Sequence, residues 1–241
     1  KAKRLGISGC LHMEVDVEPL QINQETDLVT EIMADPTSIL CGAISAARPE
    51  SIKFGQFFET AKHNKTIKGF RRVLHTEKDD LSQSKTFRDN IKLLSNTSLT
   101  FDLCMLPHQL PLAADLVDYC PHVTFILDHC GVPDIKGGNL SLWKKDISAL
   151  AKRPNVIAKI SGIIAYGDLK LWGLDCIRPY FDHTVASFGH NRIIWGSDSP
   201  VCNLGGGLET WVAATHALTA DWALDQRHAF YKGNAKRIWT V

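Results

Sequence analysis

The seven cysteines of this 241-residue chain include no Cys-x-x-Cys pair. That absence argues against a zinc knuckle and a regular disulfide framework, and leaves reduced thiols packed in apolar segments. Charge of one sign is missing too: the formal net charge is +1, so neither nucleic acid nor an anionic membrane is an expected partner. No apolar run approaches the roughly 20 residues that cross a bilayer. The opening "KAKRLGISGC" has a basic front without the apolar centre of a signal peptide, and a cytoplasmic location is expected. There is no Gly-x-Ser-x-Gly elbow, and Gly205-Gly206-Gly207 lacks the Gly-Lys-Ser/Thr ending of a phosphate loop. No two histidines stand as His-x-His; the nearest are seven residues apart. Zinc hydrolases commonly place two imidazoles on one strand, and the chain holds no such intact pair.

What is present is ordinary globular composition, 44% hydrophobic and 22% charged, with length for one large core. Apolar stretches of strand length alternate with longer amphipathic ones. The strand-like stretches are "ISGCLHMEV", "SILCGAISA", "IKGFRRVL", "LTFDLCML", "VTFILDHC", "NVIAKISGI" and "RIIWGSD". Helical patterns follow around Glu25–Asp35, over "ESIKFGQFFETAKH", around Thr86–Ser95, over "QLPLAADLVDYC", and around Leu142–Ala151, Leu171–Phe188, Leu208–Leu218 and Asp225–Trp239. Near-continuous apolar strands in series with helices predict a parallel sheet covered on both faces. No linker or low-complexity segment interrupts the series, so residues 1–241 are expected to form a single barrel domain. Several strands end in ionisable residues, which suits a (β/α)8 TIM barrel with its chemistry at the carboxyl ends. Seven strands are one too few. Lys1–Gly6 reads as the tail of a first helix, so the first strand is the one the chain lacks.

Asp198, in "RIIWGSDSP", ends an apolar strand among small residues, a setting that suits a general base. As a plain loop carboxylate it would serve an Asx-turn before Pro200. His129 ends "FILDHCG" in the same way; strand alternation points its neighbour Asp128 to the opposite face. Of the two arginines in "IKGFRRVLH", alternation lets one face inward, and Arg71 is chosen as a fork for a substrate carboxylate or carbonyl. His108, after a proline, either lines the pocket or caps the next helix. Lys159 interrupts an apolar strand, and either snorkels to the rim or is an inward cation paired with a carboxylate such as Asp198. Glu14, ending the first visible strand, is a weaker candidate. Tyr166 and Trp195 either shape the pocket or pack in the core.

Together, "FILDHCGVPDI", "NVIAKISGIIAYG", "RIIWGSDSP" and "GNAKRIW" resemble the amidohydrolase superfamily, amidohydrolase family 2, and within it the lactonase-like branch of sugar-acid lactonases and 2-pyrone-4,6-dicarboxylate lactonase. "IKGFRRVL" and "LPHQLPLAADLV" fit the same branch. The resemblance implies a distorted barrel in which Asp198 activates water, His129 orients the carbonyl, and Arg71 binds acidic substrate groups. It implies a hydrolase that opens a lactone of a sugar acid or of an aromatic-degradation intermediate. The alternatives are a metal-dependent decarboxylase of the same superfamily and a non-catalytic binding protein on the same scaffold. The substrate is a small molecule, and a homodimer stays open. The cofactor is either one divalent ion such as zinc, with His129 and Asp198 as candidate ligands, or none; the family's His-x-His belongs to the strand that is lacking. Ser199 stands where the family commonly has tryptophan.

Overall fold

A computed structural model describes residues 1–169 and 171–241. Seven strands lie in one parallel sheet in chain order: β1 (Cys10–Met13), β2 (Leu40–Ala46), β3 (Ile67–Val73), β4 (Thr100–Cys104), β5 (Thr124–Leu127), β6 (Val156–Ile160) and β7 (Ile193–Trp195). The connecting helices are α1 (Ile22–Ala34), α2 (Phe54–Ala61), α3 (Lys85–Ile91), α4 (Leu110–Tyr119), α5 (Leu140–Ala151), α6 (Leu174–Phe188) and α7 (Gly207–Leu218). This is a TIM-barrel-like fold with one strand fewer than eight. β1 and β7 are its two edges among the described residues.

The strands are apolar along their length because each face is buried against something different. Outward residues such as Phe70, Phe101, Phe125 and Leu127 pack under the helices. Phe101 meets Phe87 of α3 and Phe125 of β5 edge-on, with centroids 6.1 and 6.3 Å apart, the geometry that ring quadrupoles favour. Inward residues Ile44, Ile126, Ile157 and Ile194 form a second apolar cluster with Trp239. Trp239 donates from Nε1 to Thr100 Oγ1 at 3.1 Å. Gly69 is required where β3 approaches β4: a methyl there would lie 2.7 Å from the Thr100 carbonyl oxygen.

Three local readings differ from the sequence expectation. Lys1–Gly6 is a 3-10 turn over Ala2–Leu5, closed by Gly6 at φ 79. α6 starts at Leu174 and carries Pro179 inside it. The expected final helix is two, α8 (Leu224–His228) and α9 (Asn234–Trp239), joined by a π-helical turn over Ala229–Gly233. After that turn, buried Asn234 donates from Nδ2 to the His190 and Ile193 carbonyls at 2.7 and 2.8 Å. Those bonds tie the end of the chain to the start of β7. The cysteines are free thiols, four of them buried; Cys176 is exposed and so departs from the expectation of packed thiols.

Candidate active site

Above the inner isoleucines, the carboxyl ends of the strands carry a layer of charge. Glu14 follows β1, Arg71 is on β3, Asp102 on β4, Asp128 follows β5, and Lys159 is on β6. All are buried. Arg71 donates from Nε to Glu14 Oε1 at 2.6 Å, from Nη2 to the Glu14 carbonyl oxygen at 2.7 Å, and from Nη1 to Asp128 Oδ2 at 3.1 Å. Glu14 Oε2 in turn accepts the Asp16 N–H at 2.6 Å. Lys159 Nζ lies 2.7 Å from Asp102 Oδ2 and 2.5 Å from Asp128 Oδ1. Five side chains thus form one continuous ionic network, the arrangement that buried charge requires.

The network sets the protonation of its members. Burial alone would raise Asp128, but Lys159, His129 and Arg71 overcome it and hold the carboxyl below the usual carboxylate range. Asp102 behaves oppositely. Burial, helped by neighbouring Asp128, outweighs Lys159 and pushes its carboxyl up to about 7. Burial would lower Lys159, yet Asp102 and Asp128 keep the ammonium charged above its ordinary range.

On this layer sit His129 and Asp198. The residue after β5 does not continue the strand: His129 and Cys130 take left-handed conformations, φ 52 and 55. That turn cancels strand alternation, so Asp128 and His129 bring donor atoms within 4.8 Å of each other, contrary to the expectation of opposite faces. His129 Nδ1 is 2.8 Å from Ser161 Oγ and 3.7 Å from Asp198 Oδ2. Burial lowers the imidazole's proton affinity more than Asp128 and Asp198 restore it, so the ring is neutral at neutral pH. Tyr166 stands edge-on to it at 6.3 Å.

Asp198 also has a left-handed backbone, φ 51, a conformation that aspartate tolerates at some strain. Its Oδ2 is buried and has no hydrogen-bond partner. A buried carboxylate oxygen left unpaired is costly, and its natural complement is a bound molecule. The carboxylate lies against Gly162, which follows β6 at φ 69: a methyl on Gly162 would stand 2.2 Å from Asp198 Oδ2 and 3.2 Å from His129 Nδ1. Gly162→Ala should therefore displace Asp198 and lower turnover roughly 100-fold, with a left-handed alanine costing only about 1–2 kcal/mol of stability. Steady-state kinetics beside a thermal melt test this, and full activity in a folded variant would contradict it.

The remaining sequence candidates separate. Lys159 pairs with Asp102 and Asp128, not with Asp198. Arg71 is the inward arginine; Arg72 pairs with Glu50 and Glu77. His108 lies apart from the cluster: it is exposed in the turn before α4, and its Nε2 is 3.2 Å from Asp79 Oδ1. Trp195 donates to Thr215 Oγ1 at 3.2 Å, in the packing against α7. Asp102, Ser161 and Gly162 were not anticipated. An acidic residue inside "LTFDLCML" was the available signal for the first of them.

A catalytic zinc takes three protein ligands. His129 Nδ1 and Asp198 Oδ2 lie 3.7 Å apart as two ligand atoms, the nitrogen already 2.8 Å from Ser161 Oγ. Cys104, Asp128 and His129 also bring donor atoms within 4.8 Å of one another, but Arg71 and Lys159 hold both Asp128 oxygens. Burial raises the Cys104 thiol far above its ordinary range, and its sulfur faces His75 Nδ1 at 3.0 Å. The described residues therefore do not complete a set for a divalent ion.

The family described as Amidohydrolase matches residues 11–241. The chain belongs to the amidohydrolase family and is an enzyme of the hydrolase class. Among similar proteins, L-fucono-1,5-lactonase of Burkholderia ambifaria is 26% identical over 197 residues, which span 80% of this chain and 66% of that protein. An amidohydrolase of Burkholderia multivorans, solved with bound zinc, superposes with a TM-score of 0.90 at 20% identity, over 100% of this chain and 86% of that one. A probable 2-pyrone-4,6-dicarboxylic acid hydrolase of Acinetobacter baumannii, solved with citric acid bound, has a TM-score of 0.76 at 16% identity over the same shares. At those identities the two solved structures share the fold with this chain.

Proposed function

We propose that this enzyme opens a lactone, the cyclic ester of a sugar acid or of an aromatic-degradation intermediate, by attack of water on the ring carbonyl. The observation that carries the reading is the buried, unpartnered Asp198 Oδ2 beside His129 at the carboxyl end of the barrel. Asp198 takes a proton from water as the oxygen attacks. Neutral His129 serves the carbonyl: when Nδ1 accepts from the Ser161 hydroxyl, Nε2–H is the donor to the developing oxyanion. The ring oxygen then leaves with the proton that Asp198 took, and the product is an open hydroxy acid. The lactonase relative of Burkholderia ambifaria supports the reaction type.

The test is a panel of γ- and δ-lactones followed by acid release in a pH-stat, run with and without chelator. At least one should open roughly 10⁶-fold or more above its uncatalysed rate. Failure across the panel, with carbon dioxide released from a carboxylated aromatic, would replace this reading with the decarboxylase one.

A further inference from the structure

The two cations of the site are spent inside the wall. Every guanidinium nitrogen of Arg71 has a partner in Glu14 or Asp128, and the Lys159 ammonium sits between Asp102 and Asp128. Arg71 and Lys159 face three carboxyl groups, and Asp198 adds a fourth at the mouth. Asp102 aside, the three carboxyl groups of Glu14, Asp128 and Asp198 stand in this cluster with the two cations. Bidentate capture of a carboxylate requires an arginine fork that is free to turn toward it. Here the fork is closed by Glu14, which is itself buried and fixed by the Asp16 N–H. A second carboxylate brought beside Asp128 and Asp198 meets like charge among largely buried groups.

We propose that Glu14 and Asp102 lock Arg71 and Lys159 into the barrel wall, so that the site selects uncharged lactones and turns away lactones bearing a carboxylate. This rests on the lactonase reading and narrows it. It also reverses the role that the sequence pattern suggested for Arg71, which becomes a structural cation and not the anchor of an acidic substrate. Glu14 and Asp102 act here as specificity-determining residues through the cations they occupy. Hydroxyl-rich lactone rings need donors and acceptors, which the carboxylates and His129 supply without a free positive charge.

The experiment compares kcat/KM for matched lactones that differ by one carboxylate, such as glucono-1,4-lactone against glucaro-1,4-lactone, within a wider set of such pairs. The parent should prefer the uncharged member of each pair about 100-fold. Glu14→Gln, which removes the negative charge that offsets Arg71 while keeping an oxygen for its Nε–H, should shift that ratio at least 10-fold toward the carboxylate-bearing member, and through KM more than kcat. Asp102→Asn should shift it in the same direction through Lys159. A lesion that merely loosened the fold would lower both lactones alike and leave the ratio in place. Equal turnover of both members by the parent overturns the inference while the lactonase reading stands, and so does an unchanged ratio in both folded variants. Turnover of no lactone in any pair overturns the lactonase reading itself. Should either variant fail to fold, the parent's ratio and the other variant decide the matter.

Discussion

Asp198→Asn should cut turnover of any lactone that the parent opens by roughly 10²- to 10⁴-fold, the usual contribution of a positioned general base. The substitution keeps the shape of the side chain and removes its ability to take a proton from water. It should cost little stability, because Asp198 Oδ2 has no hydrogen-bond partner to lose. The neighbouring Gly162, with no side chain to clash, accommodates the amide as it does the carboxylate. The loss should therefore fall on kcat, with KM changing only a few-fold and the thermal melt close to that of the parent. Turnover within a factor of three of the parent would remove Asp198 from the reaction.

Lys159→Met should do the opposite, with its main effect on the fold. The ammonium is the shared partner of Asp102 and Asp128, both fully buried. Methionine matches the length of the stem but leaves buried Asp102 without its cation and Asp128 with Arg71 alone. Breaking a buried pair from one side typically costs about 3–5 kcal/mol, a large part of the stability of an ordinary domain. The deficit should also depend on pH. In the parent, burial, helped by Asp128, holds the Asp102 carboxyl up to about 7, against the pull of Lys159. Above that pH the parent's Asp102 ionises beside an ammonium, whereas the variant's must keep its proton while the unfolded chain has released it. Native protons in excess of unfolded ones mean that stability falls with rising pH, so the gap between variant and parent widens above about pH 7. Urea unfolding at pH 6 and pH 8.5 measures both terms. A deficit under about 1 kcal/mol at both values would show that the network does not hold the barrel as described.

The strands were legible because burial on both faces leaves little room for polar residues, and the seven apolar stretches became seven strands in the order of the chain. Asp198 and His129 were legible as ionisable residues at strand ends, and Arg71 was separated from Arg72 by alternation alone. The limits are equally physical. A pleat predicts side-chain direction only while the strand lasts. The left-handed turn at His129 and Cys130 therefore placed Asp128 and His129 side by side where alternation separated them. Lys159 announced a carboxylate partner, but choosing among carboxylates needs the register of β4 against β3 and β5, which sets Asp102 opposite Arg71 and Ile126. The position of His108 depended on the turn before α4, which aims the ring at Asp79 and solvent. Gly162 gave no sign in the sequence that its missing side chain is the space Asp198 occupies.

The central claim is that Asp198 activates water and does not itself attack the carbonyl. A single turnover in ¹⁸O-water, with enzyme in excess over lactone, separates the two. Attack by water predicts one ¹⁸O in the product carboxylate at the first turnover and none in the peptide that contains Asp198. Unlabelled product, with the label appearing in Asp198, would contradict the account, because the carboxylate's own oxygen would then have made the new bond.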